Sequence, residues 1–264
     1  MFDLNVCLCP MKIVWGDKEA NLRELQRIAS EVHPETDLLI LPETFSTGFP
    51  AGLNKEEVRE MAERNSGETI ALLKKISSEH NFAIAGSFIA DTGGSLFNRA
   101  FFIEPGGEES FADKRHLFTM AGEHKIFSRG YERLKARYLG WNIAMAVCYD
   151  VRFPAWLRNR ENEYDLLILV ANWPTVRVDA WNKLIPARAI ENESYVCAVN
   201  CRGVDKGGFE YDGSSMVIDF KGKTVSQPSS EDFIYARLSK DKLDAFREKF
   251  PAWRDSDKYS FEED

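Results

Sequence analysis

Short apolar runs alternate along the chain with longer stretches in which apolar residues recur every three or four positions, the pattern of strands interleaved with amphipathic helices. Lys18 to Val32 carries Ala20, Leu22, Leu25, Ile28, Ala29 and Val32 on one helical face, and Glu68 to His80 repeats that spacing. Asp37-Leu38-Leu39-Ile40-Leu41 reads as a buried strand stopped by Pro42, which puts Glu43 at the strand's C-terminal edge. Phe82 to Ile89 and Leu96 to Ile103 form a predicted hairpin about the turn residues Asp91-Thr92-Gly93-Gly94.

Trp141 to Val147 is a further apolar strand, Pro154 to Arg160 begins as a helix, and Leu166 to Val170 is a buried strand. Cys148 therefore falls at a strand-to-helix turn. Asp179 to Asn192 reads as helix and Tyr195 to Val199 as strand. Ser214 to Phe220 and Thr224-Val225 form a hairpin turning at Lys221-Gly222-Lys223. Phe233 to Leu238 adds a strand, Lys240 to Phe250 a last helix, and Met1 to Val6 already alternates like a strand.

Strands and helices alternate without a Pro/Gly/Ser-rich linker, so residues 1–264 are expected to form a single α/β domain. The acidic, aperiodic tail at 251–264 is expected to dock on a partner subunit or to be mobile.

Composition narrows the function. The chain is 44% hydrophobic and 29% charged, as expected of a globular protein with a large core. A net charge of −8 offers no positive field for phosphates or anionic lipid, which argues against nucleic acid and membrane surfaces as partners. No apolar run reaches the ~18 residues of a membrane helix, and the N-terminus has no signal-peptide pattern, so a soluble, cytoplasmic protein is expected.

Five cysteines, an odd number without CxxC spacing, argue against a disulfide framework and a zinc site. Cys7, Cys9 and Cys197 lie in strand-like sequence, where a thiol serves as a small buried hydrophobe. The four histidines, His33, His80, His116 and His124, show no metal-ligand spacing, and no metal or cofactor is expected.

Cys148 at its turn is a candidate nucleophile, but a thiol needs a base or a nearby positive charge to react near neutral pH. Glu43 and Lys114 are candidates for both roles. Singly, each is as readily a surface or core residue. Their flanking sequences decide. Leu41-Pro42-Glu43-Thr44-Phe45, Asp113-Lys114-Arg115-His116-Leu117-Phe118 and Cys148-Tyr149-Asp150-Val151-Arg152-Phe153-Pro154 resemble, in order, the three signature segments of the nitrilase superfamily. Asn172-Trp173-Pro174 and Arg188-Ala189-Ile190-Glu191-Asn192 resemble its later segments, so the similarity covers nearly the whole chain.

The resemblance implies a four-layer αββα sandwich, a homodimer, and a Glu43–Lys114–Cys148 triad that cleaves a carbon–nitrogen bond through a thioester. Phe118 to His124 and Cys148 to Arg158 are most similar to the omega-amidase branch, which hydrolyses the terminal amide of 2-oxo dicarboxylic acid monoamides. Glu123 matches an additional glutamate beside the triad in many members. The backbone N–H of Tyr149 is a candidate oxyanion donor, because it follows the nucleophile at a tight turn.

Substrate recognition is read more coarsely. Phe45, Phe49, Phe118 and Trp173 flank the catalytic segments, and of these Trp173 is the chosen pocket wall. Arg152 and Arg177 are the candidates for a substrate carboxylate; Arg177 is the choice, while Arg152 is rather expected to pair with a carboxylate and hold the Cys148 turn. Two alternatives stay open: another carbon–nitrogen hydrolase acting on a nitrile, carbamoyl amine or different amide, and a non-catalytic binding protein on the same fold.

Overall fold

A computed structural model of the protein describes residues 3–230 and 232–261. Met1 and Phe2 of the first predicted strand, and the last three residues of the acidic tail, lie outside the described residues. In chain order the elements are β1 (Leu4–Leu8), α1 (Lys18–Glu31), β2 (Leu38–Ile40), α2 (Lys55–Met61), α3 (Glu68–His80), β3 (Ala83–Asp91), β4 (Leu96–Ile103), β5 (Glu109–Asp113), β6 (Leu134–Tyr138) and β7 (Trp141–Val147). There follow α4 (Pro154–Leu157), β8 (Leu166–Ala171), α5 (Val178–Asn192), β9 (Tyr195–Asn200), β10 (Arg202–Val204), β11 (Glu210–Asp212), β12 (Met216–Ile218), β13 (Gln227–Pro228), β14 (Ile234–Leu238) and α6 (Lys240–Lys249).

One sheet runs β13-β14-β1-β2-β3-β4-β5 and the other β12-β9-β8-β7-β6. The strands β1, β2 and β3 are parallel, as are β7, β8 and β9. Alternation along each strand separates two faces. Val6, Leu8, Leu38 and Ile40 of the first sheet meet Met145, Val147, Ile168 and Val170 of the second in a shared inner core. Cys7, Leu39 and Ile84 point the other way, against Leu22, Leu25 and Ile28 of α1 and Leu73 and Ile76 of α3. Leu167, Leu169 and Val196 likewise face Trp181, Ile185 and Ala189 of α5. The result is the expected αββα sandwich, each fully buried Leu, Ile or Val contributing roughly 1.5–3 kcal/mol.

Two local departures have physical causes. The helix starting at Pro154 ends after one turn, because Arg158 is extended and the Asn159 side chain bonds the backbones of Tyr164 and Asn192 instead. Helix α2 escapes an apolar-periodicity search because Val58 is its one buried residue. Its signal is a capping box: the Asn54 side chain accepts from the N–H groups of Glu56 and Glu57, while Glu57 accepts from the Asn54 N–H. The acidic tail, as far as Phe261, lies on its own chain. Tyr259 donates to the Ala155 carbonyl, and Phe261 stands edge-on to Trp156.

Candidate active site

The C-terminal ends of β2, β7 and β8 converge at one end of the sandwich, where the next residues of both sheets face one another. Glu43 follows β2, Cys148 follows β7 and Asn172 follows β8, while Lys114 follows the antiparallel edge strand β5. Lys114 is fixed from both sides, its N–H donating to the Asn98 carbonyl at 2.9 Å and its carbonyl accepting from Gly130 at 2.8 Å. Gly130 has no substitute there, because a Cβ would sit 2.0 Å from the Asp113 carbonyl oxygen.

Cys148 has φ +48°, a left-handed conformation that costs a non-glycine residue about 1–2 kcal/mol. Three neighbours hold it. The Asp150 carboxylate accepts from the Val147 N–H at 3.0 Å, reaching back across the turn. Its other oxygen accepts from the His116 N–H at 2.9 Å and contacts His116 Nδ1 at 2.8 Å, tying the Lys114 loop to the Cys148 turn. From α5, Arg188 Nε donates to the Val151 carbonyl at 2.8 Å.

Three of the predicted residues form one buried polar cluster. Lys114 Nζ donates to Glu43 Oε1 at 3.0 Å and to both Glu123 oxygens at 3.0 Å. Glu43 Oε1 also accepts from Asn98 Nδ2 at 2.7 Å, and Oε2 accepts from the Asn172 N–H at 2.8 Å. Glu123 takes a further bond from the Phe118 N–H at 2.5 Å. Cys148 adjoins the cluster, its thiol 4.0 Å from the Asn172 carbonyl.

Burial pushes the Cys148 thiol well above its ordinary pKa, and the neighbouring Glu43 adds to that more than Lys114 subtracts. Burial opposes the Lys114 ammonium, but Glu123 and then Glu43 outweigh it, so its pKa is raised and the charge is kept. Burial raises the Glu123 carboxyl despite the Lys114 ammonium, with the Glu43 charge acting in the same sense as burial.

A cavity of about 440 Å³ opens above the cluster, within the ~300–1,000 Å³ common for small-molecule sites. Glu43, Lys114, Cys148 and Asn172 lie at its floor, and Tyr149, Trp173 and Arg177 line it. Phe49 and Phe118 line it too, whereas Phe45 is buried in the outer core against Phe101. The expectation for Arg152 is overturned. Its guanidinium lies 5.0 Å from the Trp173 ring centroid at the cavity wall, and Asp150 and Arg188 hold the turn in its place.

Several site residues carry no motif that sequence reading singled out. Asn98 bonds Glu43, and its signal is a polar residue in a strand whose alternate buried positions, Leu96, Ala100 and Phe102, are apolar. Asp205, Phe209 and Tyr211 reach the cavity from the β10–β11 hairpin, with Asp205 accepting from the Tyr211 hydroxyl at 2.9 Å. His116 stacks on Phe153 with centroids 3.7 Å apart, and His124 is exposed.

The sequence profile of carbon-nitrogen hydrolases matches residues 5–248. The chain is 39% identical to omega-amidase YafV of Yersinia enterocolitica, across 98% of this chain and 99% of that one. It is 29% identical to 2-oxoglutaramate amidase of Bacillus subtilis (strain 168), across 92% and 93% of the two chains. Among solved structures, XC1258 of Xanthomonas campestris, a CN-hydrolase superfamily protein with an arsenic adduct in its active site, superposes with a TM-score of 0.93. That pair is 37% identical and covers 99% of this chain and 100% of the other. Saccharomyces cerevisiae Nit3, of branch 10 of the nitrilase superfamily, shares the fold at a TM-score of 0.82 and 22% identity, across 94% of each chain.

Proposed function

The chain belongs to the carbon-nitrogen hydrolase family, and from that membership we propose that it is an omega-amidase, releasing ammonia from the terminal amide of a small 2-oxo dicarboxylic acid monoamide of the 2-oxoglutaramate or 2-oxosuccinamate type. The observation that carries the reading is end-to-end similarity to omega-amidases together with a half-buried thiol facing a Glu–Lys–Glu cluster under a small cavity.

In this reading Glu43 takes the Cys148 thiol proton as sulfur attacks the amide carbon, then gives it to the departing ammonia. The acyl group remains on Cys148 as a thioester. Glu43 next takes a proton from water, whose oxygen attacks the thioester carbon, and the returning proton restores the thiol as the carboxylic acid leaves. The Tyr149 N–H and Lys114 stabilise the oxyanion of both tetrahedral intermediates. All three Lys114 protons are engaged in the resting site, and the bidentate contact with Glu123 lets one swing to the oxyanion while the ion pair persists. Glu123 is thus a positioning residue.

We also propose a single folding unit that works as a cytoplasmic homodimer. A core shared by both sheets supports the first part. Val176 before α5, Ile190 within it and Phe250 after α6, all large and exposed, support a partner surface, and light scattering of the purified protein tests it. Steady-state ammonia release from 2-oxoglutaramate and 2-oxosuccinamate tests the activity. Turnover of both is expected, and inertness toward both with turnover of another amide overturns the substrate assignment.

A further inference from the structure

The floor of the cavity is built to reject a substrate's carboxylate. Glu43 and Lys114 stand there, with Glu123 behind them on Lys114, so the cluster beneath the cavity holds two carboxylates for one ammonium and offers no spare positive charge when both acids are ionised. Every Lys114 proton is already directed at a carboxylate oxygen. An acid-terminated substrate must therefore place its carboxylate away from Cys148, and its charge needs a partner elsewhere on the wall.

Among the described residues, the cavity has two cations besides Lys114, Arg152 and Arg177. Arg177 lies 5.2 Å from the Phe118 ring centroid, as Arg152 does 5.0 Å from that of Trp173. Among the described residues neither guanidinium has a carboxylate within 4 Å, and an aromatic face steadies each while leaving its N–H edge unspent. The one other acid on the wall, Asp205, already accepts from the Tyr211 hydroxyl and the Phe209 N–H.

We propose that Arg152 and Arg177 together form the carboxylate subsite, sharing the two oxygens of the substrate's far carboxylate and so fixing which end of the molecule reaches Cys148. This rests on the amidase reading and assigns Arg152 a role in specificity. A planar guanidinium offers paired donors to a carboxylate, which a lysine ammonium on the same stem does not.

The test compares glutaramate with valeramide, amides of equal chain length with and without the carboxylate, in the full-length enzyme and its R152Q, R152K and R177Q variants. The readout is the ratio of kcat/KM for the acid over the neutral amide. Each glutamine variant should lower that ratio about 10- to 100-fold, chiefly through KM, as for the loss of a hydrogen bond to a charged group, with R152K falling between. Equal losses on both amides in R152Q would mean that Arg152 only supports the Cys148 turn, and an unchanged ratio would mean that it touches no substrate. Either result overturns the proposal. Failure of the wild type on 2-oxoglutaramate while it still favours glutaramate over valeramide would instead strike the assigned substrate and leave the subsite standing.

Discussion

Lys114 donates to both carboxylate oxygens of Glu123 at 3.0 Å each, a bidentate contact buried from solvent. Of the three bonds that hold the ammonium, Glu123 supplies two and Glu43 the third. Glu123→Gln keeps the size and one acceptor oxygen but removes the charge, so kcat should fall by about 10- to 100-fold, less than for a lost oxyanion donor, while KM changes little. Stopped-time ammonia assays over a substrate range separate the two constants, and a loss confined to KM would refute the positioning role.

Beyond burial, Glu43 raises the Cys148 pKa through its charge and its hydrogen bond, so the proposed base and the proposed nucleophile can be tested separately. Glu43→Gln removes the proton shuttle, and amide turnover should fall by at least about 10²-fold. The same change lowers the thiol's pKa, so iodoacetamide labelling of Cys148 at pH 8 should be as fast as in the wild type or faster. Peptide mass spectrometry identifies the labelled thiol. Cys148 is the half-exposed thiol, whereas Cys7, Cys9, Cys197 and Cys201 are buried, with burial pushing Cys7 up to about 12. Selective labelling of Cys148 therefore reports access as well as chemistry.

Gly130 approaches the Asp113 carbonyl so closely that any Cβ must displace the backbone beside Lys114. Gly130→Ala should cost about 3 kcal/mol, at the upper end of overpacking losses, and should depress kcat by moving Lys114 Nζ. Urea unfolding measures the first effect. A variant with wild-type stability and activity would show that the β5 edge relaxes freely.

The strand-end placement of Glu43 and Cys148 was legible because β2 and β7 are apolar runs bounded by a proline and by polar turn residues, a signal carried within a few positions. Lys114 and Glu123 were legible through the resemblance of their flanking segments. The cavity wall was not. Phe49 sits in an irregular loop and Asp205 and Tyr211 on a two-stranded hairpin, so their approach to Cys148 depends on contacts distant in sequence. Asn98 is one polar side chain within a strand, informative only once Glu43 is placed 2.7 Å away. Arg152 shows the limit of local reasoning, since Asp150, two residues earlier, does the work expected of it.

Replacing Lys114 exposes the electrostatic cost that it now offsets. In Lys114→Met two carboxylates, Glu43 and Glu123, face each other in a buried site without their cation, a change of the kind that costs about 3–5 kcal/mol. Burial already raises the Glu123 pKa and Lys114 opposes that rise, so removing the ammonium raises it further. A carboxyl with a folded pKa above its unfolded value favours the folded state below the unfolded pKa, near 4.3, and loses that advantage as pH climbs through the folded pKa. The variant should therefore lie closest to wild type in Tm near pH 5 and fall behind as pH rises to 8. In the wild type the raised Lys114 pKa acts at the other extreme, its stabilisation being complete below the unfolded value near 10.4 and lost above it. Differential scanning calorimetry of both proteins between pH 5 and 9 measures the divergence. A Tm gap independent of pH would mean that Glu123 stays ionised without Lys114, and would remove the basis for treating the three side chains as one electrostatic unit.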